Sequence, residues 1–336
     1  MNLSKLKPFL IYDFKSDADL LDAIEEISTK FTRQRDKISD YLKDERLISA
    51  YTAFYLLTNI PKLAEVLKWL PDDWINELKN SDFIDLGSGP GTFSLAWKEQ
   101  EGISGDFYQI ELSSLMKEQG RKIWKGVHAT KLFQASKWEW NTHRPKFLLF
   151  GHSANEMGAD MAVQYIDRIN PEHLLFIEPG TKEFFPTMLK IRSHLLAQGY
   201  SILFPCPNHQ KCPMANHEDD WCHQFVQIKQ ELEIERISQM ARKDRKLLPL
   251  TVHAYSRTYV PQNPPERIVR VLTETKFSLE WEVCHKNVLE HYQVMKRDLS
   301  KQNSKEYGSL LSGQAIETEL VKNLGLYKRV KMKSKR

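Results

Sequence analysis

The sequence predicts an α/β protein whose main body is a doubly wound, largely parallel sheet, and three observations carry that prediction. Short, mostly apolar runs recur at Phe83–Leu86, Phe107–Ile110, Lys131–Phe133, Phe147–Phe150, Leu174–Ile177 and Tyr200–Phe204; strands covered on both faces read this way, whereas half-exposed strands alternate. Amphipathic stretches such as Ser113–Trp124 and Lys182–Ala197 lie between them, the second closed by Gly199. The first run also leads into a glycine-rich turn and then a helical stretch, Phe93–Glu99. Strands and helices alternating in this order place helices over both faces of a parallel sheet.

Composition agrees. The 336 residues are enough for about two domains, and 41% hydrophobic residues supply at least one full core. With 27% charged residues, 36 aromatics, 14 glycines and 15 prolines, neither a disordered nor a collagen-like chain fits. The most apolar long stretch, Tyr51–Leu67, is interrupted by Asn59, Pro61, Lys62 and Glu65, so no membrane span and no membrane partner are expected. The first residues lack the zones of a signal peptide, and Asp13, Asp17, Asp19, Asp22, Glu25 and Glu26 do not suit a transit peptide. A cytoplasmic protein is expected, and a monomer. Four cysteines in a reducing compartment do not make a disulfide framework.

Residues 1–78 read as a helical lead. Ser16 and Asp19 form a capping box before a stripe of Leu20, Ile24, Ile27 and Phe31, whose spacing puts them on one helix face. A second helix through Ala50, Phe54 and Leu57 is expected to stop near Pro61, and a third to run from Leu63 to Pro71. Residues 79–204 hold the doubly wound sheet. Residues 205–300 are expected to form a Cys-rich metal or cluster lobe, with a charged helix over Gln224–Arg242. A small sheet follows, in which Phe277, Leu279, Trp281 and Val283 alternate with polar residues. Residues 301–336 form a C-terminal extension with a basic tail.

The glycine turn reads Asp85-Leu86-Gly87-Ser88-Gly89-Pro90-Gly91-Thr92. Glycines here permit a sharp turn and let a ligand approach the backbone at the strand's carboxyl end, where α/β sheets bind ligands. A dinucleotide fingerprint would carry its third glycine where Thr92 stands, and a P-loop would need a lysine that is absent. An acid two residues before G-x-G-x-G resembles instead the first motif of the class I S-adenosylmethionine (SAM)-dependent methyltransferases, a Rossmann-like fold. The resemblance implies that Asp85, Gly87, Ser88, Gly89 and Gly91 lie at the cofactor. It also implies that Glu111, 20 residues after Gly91 and directly after the second strand, accepts the ribose hydroxyls. The fourth strand ends in Gly151-His152-Ser153-Ala154-Asn155-Glu156, without the Asn or Asp, two prolines and an aromatic that methyltransferases of exocyclic base amines present. His152, Asn155 and Glu156 are the candidates for positioning an acceptor or removing a proton. Asn155 and Glu156 read equally as a helix start, with a cap and a favourable dipole charge.

Cys206, Cys212 and Cys222 fall within 17 residues, and Cys284 follows after 61 more. Structural cysteines have no reason to gather in a polar, proline-rich loop, whereas metal ligands must converge. A tetrahedral zinc site using the four thiolates, or substituting His209, His217 or His223, is one reading, although C-x-x-C pairs are missing. A 4Fe-4S cluster tolerates the wider spacing and the Cys-Pro steps and fits better. A nucleophilic role for Cys206 in pyrimidine C5 methylation is weaker, because the residue follows the sixth run and not the fourth.

Together the glycine turn, Ile177-Glu178-Pro179-Gly180-Thr181, Pro205-Cys206-Pro207 through Cys212-Pro213, Trp221-Cys222-His223 and the late Cys284 resemble one family over about residues 45–300. It is that of the methyltransferase-like assembly factors of the mitochondrial small ribosomal subunit and their bacterial counterparts. The resemblance implies a class I methyltransferase fold, SAM as cofactor, and a 4Fe-4S cluster on Cys206, Cys212, Cys222 and Cys284. It implies the small ribosomal subunit and its rRNA as partners. Two functions are then expected: an rRNA methyltransferase, or a non-catalytic assembly factor that keeps the fold for binding RNA. A redox-sensing regulator is a weaker third.

Net charge is +4, yet the segment Lys322–Arg336 carries +7 and no acid, which leaves residues 1–321 at −3. With Tyr327 as a stacking group, the segment reads as a flexible arm that binds phosphate backbone by releasing counterions.

Overall fold

The structure of the chain is a computed structural model. It describes residues 1–32, 42–127, 131–217, 219–262, 264–286 and 288–333, apart from the side chains of Phe31 and Thr32. Fourteen strands are described: β1 Asp82–Leu86, β2 Phe107–Ile110, β3 Leu132–Ala135, β4 Lys146–Gly151, β5 His173–Pro179, β6 Ser201–Phe204, β7 Gln224–Gln227, β8 Leu247–Ser256, β9 Glu266–Glu274, β10 Ser278–His285, β11 Val288–Met295, β12 Ala315–Ile316, β13 Thr318–Asn323 and β14 Lys328–Met332.

The first sheet runs β3-β2-β1-β4-β5-β8-β6, with β7 added to β8. β1 to β5 are mutually parallel, and β8 is antiparallel to both β5 and β6. This is the α/β architecture of the class I SAM methyltransferases: a doubly wound sheet with one reversed strand inserted near its end. Successive residues of each central strand feed opposite faces. Phe83, Phe147 and Leu175 pack with the N-terminal helices and with Trp97 and Ile123. Ile84, Leu148 and Leu174 pack with Ile166, Met188 and Leu195 from the helices Ala154–Ile169 and Phe185–Ala197. Both faces are thereby dry, which is why the strands read as continuous apolar runs.

The N-terminal helices cover this sheet directly. Trp74, fully buried, donates from Nε1 to His173 Nδ1 at 3.1 Å, so the lead shares its core with the sheet. Ser16 Oγ accepts from the Asp19 N–H, while Asp19 reaches back to the Lys15 N–H. Leu20, Ile24 and Ile27 of this helix, Asp17–Thr32, are buried; the Phe31 side chain lies outside the described residues. Pro61 does not stop the next helix. A π turn, Thr52–Leu56, precedes Leu57–Leu67, and Pro61 lies inside the latter. A π turn interrupts the i→i−4 ladder just before the residue that has no N–H to contribute.

β8 is not expected from the sequence. It draws residues 247–256 into the main sheet, so the sheet crosses the boundary placed at 204/205. Its Pro249 and its buried Thr251 and His253 disguise an apolar strand. Gln224–Gln227 is likewise strand β7, and the helix expected from Gln224 begins at Leu232 and ends at Met240. Gln224 is buried, and its Oε1 accepts from the Val252 N–H at 2.8 Å, a cross-strand tie that a helix would break.

The second sheet runs β12-β9-β10-β11-β14-β13 around Ile268, Leu279, Trp281, Val283, Tyr292, Val294 and Val330. Leu279, Trp281 and Val283 face inward as their alternation requires; Phe277 lies before β10 and is exposed. The basic tail is not a flexible arm. Residues Thr318–Asn323 and Lys328–Met332 pair as the hairpin β13–β14, which joins β11 and buries Val330 in the core of the sheet. Lys335 and Arg336 lie outside the described residues. Among the described residues no helix is long and apolar enough to cross a membrane.

Candidate functional site

The carboxyl ends of β1, β2, β4 and β5 share one rim, because these strands are parallel and adjacent. At the end of β1 the backbone takes left-handed values at Gly87, Gly89 and Gly91, with φ of 68°, 53° and 88°. Two of these glycines are needed twice over. A Cβ on Gly87 would lie 2.5 Å from the Ser153 Cβ, and one on Gly91 would lie 2.5 Å from Gln109 Nε2. Gly89 differs: among the described residues, its chain neighbours aside, nothing lies within 4 Å of where its Cβ would stand. The middle of the turn therefore presents bare backbone that no described side chain covers.

Asp85 is 1% exposed and accepts from the Ser94 N–H at 3.0 Å and from Ser94 Oγ at 2.8 Å. It ties the start of the helix Thr92–Lys98 to β1, and burial lifts its pKa to about 7. Ser88 is buried beside it. Glu111, at the end of β2, accepts from the Gly89 N–H through Oε2 and from the Ser113 N–H through Oε1, both at 2.8 Å. Asp85, Gly87, Ser88, Gly89, Gly91 and Glu111 thus form one contiguous loop, with Asp85 facing its interior and Glu111 on its rim.

Next to the loop, a cavity of about 480 Å³ is lined by Tyr51, Tyr55, Lys62, His152, Asn155, Glu156, Gly180 and Arg245, among others. The three residues singled out at the end of β4 are all in its wall. His152 has φ 64°, a left-handed value uncommon outside glycine, and its N–H is held by the Ile177 carbonyl at 3.0 Å. Strained backbone of this sort gathers at functional sites. Glu178 is fully buried and accepts the Ala154 and Asn155 N–H groups, at 2.9 and 3.2 Å, at the start of the helix Ala154–Ile169. The helix is therefore capped from β5, and neither Asn155 nor Glu156 is consumed as its cap. Burial raises the Glu178 carboxyl to about 8. Glu156 is pushed up in the same direction by the protein around it and by Glu111. Its side chain keeps an exposed surface at the cavity mouth, so that rise weighs less than the one at the sealed Glu178.

Further residues, not singled out by the sequence, complete the wall. Tyr51, Tyr55, Asn59 and Lys62 recur at spacings of four, four and three, which puts them on one helix face. The apolar stretch around them reads as core and conceals them. Tyr51 and Tyr55 stack with centroids 5.5 Å apart, and the Arg245 guanidinium lies 5.0 Å from the Tyr55 ring centroid. Lys62 is 2% exposed, and its Nζ is 2.8 Å from His152 Nε2. Burial lowers Lys62 to about 7, and burial together with Lys62 holds His152 well below its usual value. An amine and an imidazole that burial holds below their usual pKa, and a carboxylic acid held above its own, around one cavity are the groups that general acid–base chemistry uses.

The four cysteines come together elsewhere. Cys206 follows β6, Cys212 and Cys222 lie in the loop between β6 and β7, and Cys284 is on β10, so the thiols meet at the seam between the two sheets. All four line one small cavity, with Arg192, Gln224, Arg267 and Lys286. None is in a disulfide. Burial and their neighbouring thiols raise Cys212 to about 11, Cys284 to about 12 and Cys222 well above its usual value. Among the described residues no three His, Cys, Asp or Glu side chains converge closely enough for a single metal ion. Four thiols around one cavity are a donor set that a zinc ion or an iron-sulfur cluster would take. The loop is tied to one residue of the larger cavity's wall, since Trp221 Nε1 donates to the Gly180 carbonyl at 3.0 Å.

Several solved structures are similar to this chain. The magnesium protoporphyrin IX methyltransferase of Synechocystis with bound SAM is 12% identical over 70% of this chain and 97% of its own, with a TM-score of 0.38. The precorrin-6y C5,15-methyltransferase of Geobacter metallireducens is 13% identical over 55% and 87%, with a TM-score of 0.32. A SAM-dependent methyltransferase of Aquifex aeolicus is 11% identical over 59% and 96%, with a TM-score of 0.30. The fold assignment rests on the strand order and not on these likenesses. No curated protein sequence matches the chain. A family model does, that of the mitochondrial small ribosomal subunit protein Rsm22, over residues 46–308. That span takes in the glycine loop, the cavity and all four cysteines, and the chain belongs to the Rsm22 family.

Proposed function

We propose that this protein binds SAM at the Gly87–Gly91 loop and methylates RNA of the small ribosomal subunit, with a 4Fe-4S cluster held by Cys206, Cys212, Cys222 and Cys284. The observation that carries the reading is the open backbone at Gly89, flanked by the Glu111 carboxylate, at the carboxyl ends of β1 and β2. A side chain there would fill the space a ligand needs. SAM, when bound, supplies an electrophilic methyl group on a sulfonium. Glu111 is the chain's acceptor for ribose hydroxyls, and the Gly87–Gly91 backbone is the surface against which the cofactor lies. Tyr51, Tyr55 and Arg245 form a flat, cationic wall for the acceptor. Lys62, His152 and Glu156 are the groups available to take a proton from it. The enzyme's contribution is mainly positioning.

The four thiols at the seam of the two sheets favour a structural cluster, because metal-ligand energy there is folding energy. The exposed cations of the C-terminal hairpin, Lys322, Lys331 and Lys333, support contact with phosphate backbone. A second reading, a non-catalytic assembly factor, is favoured by the Gly151–Glu156 turn, which lacks the prolines and aromatic of amine-methylating enzymes. A cytoplasmic site of action belongs to the proposal, and imaging of a tagged chain checks it against the mitochondrial description of the family. The activity test is transfer of radiolabelled methyl from SAM to small-subunit RNA, free or in subunits. Incorporation that stops when Glu111 is changed to Ala supports the enzyme; no incorporation with any of these substrates leaves the assembly reading.

A further inference from the structure

Two arginines are buried at the cysteine cavity, and among the described residues no carboxylate pairs with either. Arg192 is 5% exposed, and Arg267 is 7% exposed. Arg192 Nη2 donates to the carbonyls of Asn208, at 3.3 Å, and Gln210, at 2.6 Å, both in the loop that joins Cys206 to Cys212. It also bonds Cys206, and its buried Nε has no partner among the described residues. Arg267, on β9, donates to the Gly313 carbonyl at 3.2 Å and lies 4.3 Å from the Phe204 ring centroid, one residue before the Pro205-Cys206 step. The Cys206 thiol is the acidic side chain close to both guanidiniums among the described residues. No carboxylate among the described residues forms a salt bridge with either, although other arginines, such as Arg46 with Asp19 and Arg236 with Asp17, are paired.

A buried cation that lacks an anion is costly, and folded proteins pair such charges or do not keep them. Among the described residues the acidic groups that act on these guanidiniums are Cys206, for both, and Cys212 and Tyr255, for Arg192; the thiols are the ones a metal centre deprotonates. Their protons leave when a metal centre binds, and four thiolates around a core of charge two-plus make a dianion. Two guanidiniums match it. We propose that Arg192 and Arg267 are the counter-charges of a dianionic tetrathiolate metal centre at Cys206, Cys212, Cys222 and Cys284, and that they set its affinity and its reduction potential. This rests on the four-cysteine reading above and adds to it: the site is built for a charge of two-minus, which excludes ligand sets that replace thiolates with neutral histidines. For an iron-sulfur cluster, nearby positive charge favours the reduced, more negative state and so raises the potential.

The test uses the full chain, purified without oxygen, in wild-type form and as Arg192→Met, Arg267→Met, Arg192→Lys and Arg267→Lys. Iron, acid-labile sulfide and zinc are counted per chain, and the midpoint potential is followed by absorbance. If zinc is found in place of iron, competition with a chelator replaces the potential. The expected result is a loaded wild type, Met variants with metal content or affinity reduced at least several-fold or a potential shifted downward, and Lys variants that recover most of the loss. Met variants equal to wild type in content and potential overturn the proposal while leaving the cysteine site standing. Lys variants that lose as much as the Met variants overturn the charge argument. A wild type with neither iron nor zinc overturns both the proposal and the four-cysteine reading.

Discussion

Lys62 Nζ lies 2.8 Å from His152 Nε2, joining a helix of the N-terminal lead to the strained turn after β4. The two residues are 90 positions apart, and their pairing closes one wall of the cavity beside the glycine loop. Because Lys62 is sealed from water, its amine is uncharged over part of the neutral range. The helical lead is thereby part of the site and not a mere cover for the sheet.

The buried lysine makes stability depend on pH in a defined direction. Its folded pKa of about 7 lies below its ordinary value of 10.5, so the unfolded chain binds more protons between these limits. Its contribution to stability is present above 10.5 and is lost as pH falls through about 7. Denaturant unfolding of wild type and Lys62→Met across this range should show the wild type gaining on the variant as pH rises, by on the order of 4 kcal/mol in total. A difference that stays constant with pH contradicts a buried, neutral Lys62.

Glu178 works with the opposite sign. Its carboxyl, raised to about 8 from 4.5, stabilises the fold most below 4.5 and loses that contribution as pH rises through about 8. Glu178→Ala leaves two helix-start N–H groups without their acceptor, a cost of about 2 kcal/mol. The deficit should be larger near pH ~5 than near pH ~9, as read by thermal unfolding in the two buffers.

The outer glycines of the loop are structural. Gly87→Ala and Gly91→Ala each force a left-handed φ on a side chain and drive a Cβ to 2.5 Å from Ser153 or Gln109. Each should destabilise the fold by about 2 kcal/mol or more. Gly91→Ala should be the milder of the two, because the Gln109 amide can swing aside and the Ser153 Cβ cannot. Equal melting of wild type and Gly87→Ala rules out this packing.

What is legible in the sequence follows from how each part is buried. β1, β2, β4, β5 and β6 can be read nearly to the residue because both their faces are dry. β8 cannot, since Pro249, Thr251 and His253 break the apolar run, and the residues between Phe204 and Leu247 hide its pairing with β6. Glu111 and the glycines are readable from their spacing, as are His152, Asn155 and Glu156 from their place after β4. Lys62, Tyr51 and Tyr55 escape notice because an apolar helix conceals a polar stripe at helical period, and only the fold shows that this stripe faces a cavity. The four cysteines can be grouped from sequence; Arg192 and Arg267 cannot, because nothing in a linear chain says that a charge is buried.

The C-terminal hairpin separates charge from fold. Lys328 is engaged by Glu290, whereas Lys322, Lys331 and Lys333 are exposed. Changing these three to Glu should leave the melting temperature within a few degrees of wild type and weaken binding to small-subunit RNA. The slope of log affinity against log salt should become shallower by about 0.7–0.9 for each phosphate that is no longer neutralised. Deleting β13–β14 should in addition lower stability, because it strips Val330 from the second core. An unchanged salt slope in the triple variant removes the hairpin from the RNA interface.

The central claim is that the loop after β1 holds SAM, and calorimetric titration of SAM into wild type and Gly89→Val tests it most directly. No described residue stands where the Gly89 side chain would go, so the variant keeps these neighbours in place and blocks the ligand. The left-handed φ at this position costs the β-branched variant at least about 2 kcal/mol, and its circular dichroism spectrum should still match wild type. Saturable binding of one SAM per wild-type chain and none to Gly89→Val is the expected result. A wild type that does not bind SAM, or a Gly89→Val chain that binds it as well as wild type, contradicts the account.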